Sequence, residues 1–225
     1  MKVAYLSSLA HPALRTYLEN AGHVIHNFPE LRTVSSLVAN HPDVLLCKLG
    51  ARPKSPIYEG APNALSPVYP GDCRYNAACT GKFFIHRLDI TDSELLAAAK
   101  ASCGNELELI DVRQGYAKCS TVIVDENSII TYDRGIEKPC EAAGMNVLIV
   151  EPCFVKLRGA GTGFIGGASG RVDDKIVFNG DLSAHPNFRE ITGFIEERGL
   201  GCKWFGSYEL EDIGSIIAVT KSDSD

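Results

Sequence analysis

The chain has 225 residues, of which 45% are hydrophobic, enough for one domain with a substantial core. Its 22 Lys and Arg residues against 28 Asp and Glu give a net charge of -6, which argues against a nucleic-acid-binding protein. The longest apolar runs, such as 147–150, are far shorter than the roughly 20 residues of a membrane-spanning helix. Since segment 1–14 also lacks the pattern of a secretory signal, we expect a cytoplasmic protein that does not bind membranes.

The first predicted elements are a strand at 3–6, a helix that begins at Pro12 and ends at Gly22, and a strand at 24–25. Proline suits the first turn of a helix, and a glycine in the left-handed conformation commonly follows the last turn. Apolar residues at helical spacing between them predict that the helix buries one face.

The second segment is less regular. Residues 44–47 are typical of a strand, but 51–70 contain five prolines and predict a loop with little regular structure.

Three later segments repeat a fuller order of strand, turn, strand, helix, strand. Their helices are predicted to end at Gly104, Gly144 and Gly199, and each glycine is followed within three residues by a short apolar run. In the first of these segments, the residues from Thr91 to Glu94 have the pattern of a capping box.

The chain ends in a predicted strand at 212–219 that no helix follows, while the first segment lacks a leading strand. We therefore expect this last strand to pair with the first and to close a ring. The predicted units are 210–219 with 1–29, about 30–70, 73–112, 115–151 and 155–206. Residues 1–221 would form one domain, and 222–225 a short polar tail.

This repeat resembles the pentein superfamily, also called the guanidine-modifying-enzyme fold, and the resemblance covers nearly the whole chain. Segment 114–121 (QGYAKCST) is similar to the glycine-rich strand that carries the nucleophilic cysteine in those enzymes, and 166–170 (GGASG) has the equivalent place in the next unit. The resemblance implies an α/β fold, a five-fold pseudosymmetric α/β propeller of strand-strand-helix-strand units. It also implies a cysteine-dependent hydrolase or transferase that acts on a small guanidine or amidine.

Cys119 is the candidate nucleophile. Attack on a resonance-stabilised cation requires a thiolate, which a nearby positive charge favours, and Lys118 is adjacent. Cys79 has the matching place in the third unit by sequence. The structural alternative is a buried free cysteine, which is common in protein cores.

His185 is the candidate acid and base, and Asp181, four residues earlier in a polar turn, would orient its ring or bind the cation. A structural role is the alternative, because Ala-His-Pro also opens the first helix at His11.

Carboxylates near strand ends could line a central channel and bind a cation: Asp72, Asp111, Glu151 and Asp181. We expect Asp111 among the substrate-binding residues, with Arg113, Gln114 and Arg158 holding a substrate carboxylate. Gly167 would allow the backbone to approach closely near the centre of the ring.

Two other site types have little support. Residues 161–166 match the G-x-G-x-x-G pattern of dinucleotide sites, but no helix is predicted to follow. The eight scattered cysteines include no Cys-x-x-Cys, and the one histidine pair at ligand spacing, His23 and His26, would face opposite sides of a strand. We therefore expect eight free thiols, no metal and no cofactor.

Two functions remain open at this point: an enzyme with Cys119 as nucleophile and a small-molecule substrate, or a non-catalytic pentein-fold protein that binds a partner or small ligand. No feature indicates the oligomeric state.

Overall fold

A computed structural model describes residues 1–221, and the predicted tail at 222–225 lies outside the described residues. The described chain is a mixed α/β structure with several small sheets and four α-helices. None of these helices is both long and apolar enough to cross a bilayer.

The helices are α1 (Pro12–Asn20), α2 (Ser93–Cys103), α3 (Arg134–Ala142) and α4 (Phe188–Glu196). The strands are β1 (Lys2–Ser7), β2 (His23–Phe28), β3 (Leu46–Lys48), β4 (Ile57–Glu59), β5 (Ala78–Cys79), β6 (Phe83–His86), β7 (Glu108–Asp111), β8 (Thr121–Ile123), β9 (Ser128–Thr131), β10 (Asn146–Ile149), β11 (Lys156–Leu157), β12 (Gly161–Thr162), β13 (Ser169–Val172), β14 (Lys175–Phe178), β15 (Gly201–Lys203) and β16 (Ile217–Thr220). Short 3-10 helices cover Pro42–Val44, Pro62–Ala64 and Leu182–Ala184.

Four three-stranded sheets share one topology. In each, a leading strand pairs antiparallel with the middle strand, and the middle strand pairs parallel with the third after an α-helical crossover. The sheets have the orders β16-β1-β2, β5-β6-β7, β8-β9-β10 and β13-β14-β15. Two parallel neighbouring strands need such a crossover between them. This need explains why a helix separates the last two strands in the predicted order of strand, strand, helix and strand.

The last strand closes the first sheet, as the sequence predicts. β16 pairs antiparallel with β1, with Val3 opposite Val219, and the Lys221 amide donates to the Met1 carbonyl at 2.8 Å. The strand is shorter than 212–219, because Gly214 and Ser215 adopt left-handed conformations (φ 70° and 72°) and turn the chain away from the sheet.

The second segment contains more regular structure than expected. Residues 57–59 lie in the proline-rich region that was predicted to be a loop, yet they form β4 and pair antiparallel with β3. Backbone pairing overrides the proline content here because the prolines fall outside the paired residues. Among the described residues, this segment has no α-helix.

The predicted helix ends are confirmed, whereas two helix starts differ. Gly22, Gly104, Gly144 and Gly199 follow the four α-helices with φ between 70° and 84°. The N-cap of α2 is Asp92 rather than Thr91, and its carboxylate accepts from the amides of Glu94 and Leu95. Helix α4 begins at Phe188, two residues after Pro186.

Five leading strands, β3, β5, β8, β13 and β16, are linked by hydrogen bonds of the strands themselves or of residues within three positions of their ends. The contacts run β3 to β5 (Ala51 amide to Thr80 carbonyl), β5 to β8 (Thr80 hydroxyl to Glu126 carbonyl), β8 to β13 (Arg171 guanidinium to Val124 carbonyl), β13 to β16 (Ile216 amide to Ser169 carbonyl) and β16 to β3 (Lys48 ammonium to Ala218 carbonyl). The apolar core lies between these strands and the helices, where Leu14 and Leu18 of α1 are fully buried.

Deleting residues 216–225 should abolish folding or greatly lower solubility, because it removes β16 and leaves the edges of β1 and β13 unpaired. Deleting only 222–225 is the control, since it retains every described contact of β16. Soluble yield and thermal melting measure the outcome, and equal melting of the two truncated proteins would contradict the closure of the first sheet by β16.

Candidate functional site

The five segments that precede the leading strands are joined by a closed hydrogen-bonded ring. The Asn76 side chain donates to the Asp43 carbonyl, and the Lys118 amide donates to the Asn76 carbonyl. The Gly167 amide donates to the Cys119 carbonyl at 2.8 Å, and the Ser215 amide to the Gly167 carbonyl at 2.7 Å. The Asp43 amide donates to the Gly214 carbonyl at 3.2 Å and completes the ring.

Cys119 lies two residues before β8, in a turn rather than on the predicted glycine-rich strand. The fully buried Asn76 holds this turn, because its Oδ1 accepts from the amides of Lys118 (2.9 Å) and Cys119 (3.1 Å). The Asn76 Nδ2 lies 3.3 Å from the Cys119 Sγ. One side chain therefore fixes both the backbone and the sulfur.

Asp43 is the nearest acid to the thiol. Its Oδ2 accepts from the Cys119 Sγ at 3.0 Å and from the Ser215 hydroxyl at 2.6 Å. The Lys118 ammonium in turn donates to Ser215 Oγ at 2.9 Å. Asp43 is fully buried, and its Oδ1 has no hydrogen-bond partner among the described residues.

His41 and Asp212 form the other side of the site. The His41 Nδ1 lies 3.8 Å from Asp212 Oδ1, without a hydrogen bond, and both side chains are buried. The Asp212 carboxylate accepts from the amides of Phe164 (3.0 Å) and Gly214 (2.9 Å). A side chain at Gly214 would overlap His41, so glycine is required for this close approach.

A cavity of about 280 Å³, the thiol cavity, gives access to Cys119. Its polar lining includes His41, Asp72 and Asp212, and no Lys or Arg lines it. The remaining lining is mainly apolar and aromatic: Leu37, Val38, Pro67, Tyr69, Tyr116, Leu157 and Phe164, with Ser35. The Tyr116 hydroxyl donates to Asp72 at 2.5 Å and holds that carboxylate at the wall.

The surroundings of Cys119 keep its thiol protonated. Burial raises the pKa of Cys119 well above its ordinary value, and the charges of Asp43 and Asp212 raise it further. Burial also raises the pKa of Asp212 and lowers that of Lys118. The sequence suggests that Lys118 lowers the thiol pKa, but burial and the two carboxylates outweigh it, and burial disfavours the cationic form of Lys118 itself.

His41, Asp43 and Cys119 could also hold a metal ion. One nitrogen, one carboxylate oxygen and the sulfur of these buried residues lie within 4.8 Å of one another. This donor set suits zinc. Sequence spacing could not reveal it, since the three residues come from two distant segments.

The structure does not bring His185 and Asp181 to Cys119. The His185 Nε2 bonds to the Glu151 carbonyl at 3.2 Å, and its Nδ1 accepts from the Asn187 amide at 3.1 Å. His11 makes the matching contact to the Ala13 amide, so the structural alternative explains both Ala-His-Pro segments. Asp181 caps a 3-10 helix through the Ser183 amide and borders a different cavity.

Most of the predicted substrate-binding residues also lie outside the thiol cavity. Asp111 accepts from the Leu88 amide, Gln114 bonds to Asp133, and Arg158 pairs with Glu211 at 3.1 Å. Arg113 is exposed and does not line the cavity. Asp111 and Gln114 therefore bond to other parts of the protein, and Arg158 forms a surface ion pair.

Gly167 does lie at the site, beneath the Asp212 carboxylate, where any side chain would overlap it. Asp72, one of the carboxylates predicted near strand ends, lines the cavity. Cys79 lies within β5, so the structural counterpart of Cys119 in the third unit is Asn76.

Five residues of the site have nearly the same position relative to a leading strand, and three of them, Asn76, Asp43 and Ser215, are absent from the sequence prediction. Asn76, Cys119, Gly167 and Ser215 each lie two residues before a leading strand, and Asp43 lies three residues before one. Comparing this position across all five segments would have selected the site. Asp43 could not be found in this way from the sequence, because its segment has no predicted helix and so does not show the repeated pattern.

The chain belongs to a family of proteins of unknown function, DUF6873, which matches residues 6–217. No curated protein and no solved structure matches the chain.

At pH 7, neutral iodoacetamide should modify Cys103 and Cys153 faster than Cys119. Cys153 is exposed, and the pKa of the half-buried Cys103 is lowered to about 7, chiefly by its hydrogen bond with Cys79, so a large fraction is thiolate. Cys119 stays protonated. Timed quenching and peptide mass spectrometry give the order, and modification of Cys119 first would contradict the electrostatics described here.

Replacing Asn76 with Ala should lower the free energy of unfolding by about 2–4 kcal/mol, because buried partners in the turn lose their hydrogen bonds. Asn127→Ala is the matched control, since Asn127 is exposed and its side chain bonds only to an exposed lysine. Urea denaturation measures both. Equal losses would show that Asn76 has no special role in holding the turn.

Proposed function

We propose that the protein is a cysteine-dependent hydrolase acting on a small cationic guanidine or amidine, built on a five-unit α/β propeller of the pentein type. Two features support the propeller: the cyclic order of contacts among the five leading strands, and the closed hydrogen-bonded ring of the segments before them. The fifth unit, β3 with β4, lacks the helix and third strand of the others.

The observation that carries the function is the placement of a thiol, an imidazole and buried carboxylates around one cavity without a cationic wall. Asp72 and Asp212 line the cavity, and Asp43 contacts the thiol. A monocation would offset these carboxylates, and the rings of Tyr69, Tyr116 and Phe164 offer faces for a planar cation.

The substrate would carry no carboxylate. A carboxylate would need a cationic partner, and Arg113 does not line the cavity. Arg158 lines an adjoining cavity of about 100 Å³ that shares His41 and Asp212 with the thiol cavity, but its charge is already paired with Glu211. A small alkyl guanidine or amidine satisfies both the charge and the apolar walls at Leu37 and Leu157.

Binding of the cation would activate the thiol. The carboxylates that raise the pKa of Cys119 are the groups that the cation neutralises, so the thiolate forms when substrate is bound. His41, whose ring nitrogen lies within 4.8 Å of the sulfur, takes the thiol proton, and Asp212 stabilises the resulting imidazolium.

The thiolate then attacks the central carbon, and a C–S bond forms. When the C–N bond to the leaving group breaks, His41 gives its proton to the departing nitrogen. The substrate carbon stays bound to the Cys119 sulfur as a covalent intermediate. Water attacks the same carbon, His41 takes its proton, and the C–S bond breaks. Ammonia or an amine and a urea or amide are released, and Cys119 regains its proton.

The first test compares chloroacetamidine, a cation, with chloroacetamide, its neutral analogue. At Cys119 the cationic reagent should be favoured by about tenfold or more over the ratio at the exposed Cys153, because Cys119 faces the buried carboxylates of Asp43 and Asp212. Peptide mass spectrometry gives both ratios in one sample.

Variants locate the origin of this preference. Asp212→Asn should reduce it, whereas Asp181→Asn, which alters a carboxylate at a different cavity, should leave it unchanged. Equal reagent ratios at Cys119 and Cys153 in the unmodified protein would refute the cation site.

Turnover is measured as ammonia or amine release from a panel of small guanidines and amidines. Cys119→Ser should have none, and His41→Asn should show neither turnover nor a covalent adduct on Cys119, because His41 must take the thiol proton before the sulfur attacks. If the unmodified protein bound these cations without turnover and without an adduct, the non-catalytic alternative would be favoured.

Metal analysis distinguishes the nucleophilic role of Cys119 from a role as a metal ligand. One zinc per chain in the purified protein, with labelling of Cys119 appearing only after a chelator is added, would assign His41, Asp43 and Cys119 to a metal site and contradict the nucleophilic role.

A further inference from the structure

A second cavity lies among the five leading strands. It has a volume of about 40 Å³, and no residue lines both it and the thiol cavity. Its charged lining consists of Lys48 from β3, Arg171 from β13 and Lys118 before β8. We call it the basic cavity.

Within residues 1–221 the three cations of the basic cavity form no ion pair, although the carboxylates of Asp43 and Asp125 act at longer range on Lys118 and Arg171 respectively. Lys48 donates to the Ala218 carbonyl at 2.8 Å, Lys118 to Ser215 and the Gly166 carbonyl, and Arg171 to the carbonyls of Val124 and Asp173. Within residues 1–221, no carboxylate forms an ion pair with any of them, and no Asp or Glu lines the cavity.

This arrangement is electrostatically costly when nothing negative is bound. Partly buried like charges repel, and each loses solvation. Burial, followed by the charges of Arg171 and Lys118, lowers the pKa of Lys48 to about 7. The nearest acid on the adjoining turn, Asp173, is paired with Lys2 at 2.7 Å.

We propose that the basic cavity is a binding site for a small inorganic anion of about the size of chloride, held by Lys48, Lys118 and Arg171. A water molecule could fill the space but would not offset three positive charges, and a cavity needs roughly 10–15 Å³ for each water-sized occupant. The volume of 40 Å³ therefore admits a small anion and is too small for a large organic one such as gluconate. This site does not depend on the proposed hydrolase function.

Thermal melting of chloride-free protein tests the site. Sodium chloride, added against sodium gluconate at equal ionic strength, should raise the melting temperature to a plateau, because a ligand of the folded state stabilises it in a saturable way. Gluconate is too large for the cavity. Equal responses to the two salts would overturn the proposal.

Lys48→Met removes one charge at nearly constant length and should weaken the apparent chloride affinity at least tenfold. Lys82→Met is the matched control, since Lys82 is exposed and lies outside the cavity, and it should keep the wild-type response. An unchanged affinity in Lys48→Met would overturn the assignment. If that variant does not fold, Arg171→Gln tests the same charge requirement.

The unmodified protein gives an independent test through pH. Lys48 faces Arg171, Lys118 and the paired Asp173, and it loses its proton near pH 7 in the absence of an anion. Chloride affinity should therefore fall as pH rises from 6 to 9. A pH-independent affinity, or saturable stabilisation by phosphate but not chloride, would overturn the proposal as stated.

Discussion

The closed ring of hydrogen bonds before the leading strands is the constraint on which the rest of the structure depends. Its donors and acceptors are buried backbone groups, together with one buried amide side chain, Asn76, and each would cost free energy if left unpaired. Because each segment shares a hydrogen bond with the next one in the ring, the position of one segment determines the positions of the others. The side chains of these segments therefore meet at fixed distances although they are far apart in sequence.

The same constraint separates charges of opposite sign. Asp43, Asp72 and Asp212 lie around the thiol, whereas Lys48 and Arg171 line the basic cavity. A chain of hydrogen bonds joins the two sides, from the Lys118 ammonium through the Ser215 hydroxyl to Asp43 and the Cys119 thiol. Charged groups in such surroundings favour ligands of opposite charge, so the two proposed sites would bind a cation at the thiol and an anion in the basic cavity.

Much of the fold could be predicted from local sequence. Glycines in left-handed conformations end all four α-helices, and the pairing of β16 with β1 follows from the count of strands. The glycine signal depends on a few neighbouring residues, and the strand pairing depends only on the number of predicted strands. The strand β4 could not be predicted, because the prolines around it indicate a loop. They lie outside residues 57–59, however, and leave the backbone groups that pair with β3 free to form hydrogen bonds.

By itself the sequence determined the repeated order of strands and helices and the closure by the last strand, since helix-ending glycines and apolar periodicity act over a few residues. The choice of Cys119 as nucleophile came from a family resemblance and stays a prediction. Only the tertiary structure decided the partners of that thiol. His185, which the sequence favoured, bonds to backbone at a helix start, while His41, Asp43 and Asp212 reach the site. The reason is physical: the partners are chosen by which segments share hydrogen bonds across the ring, and those contacts join residues up to 172 positions apart.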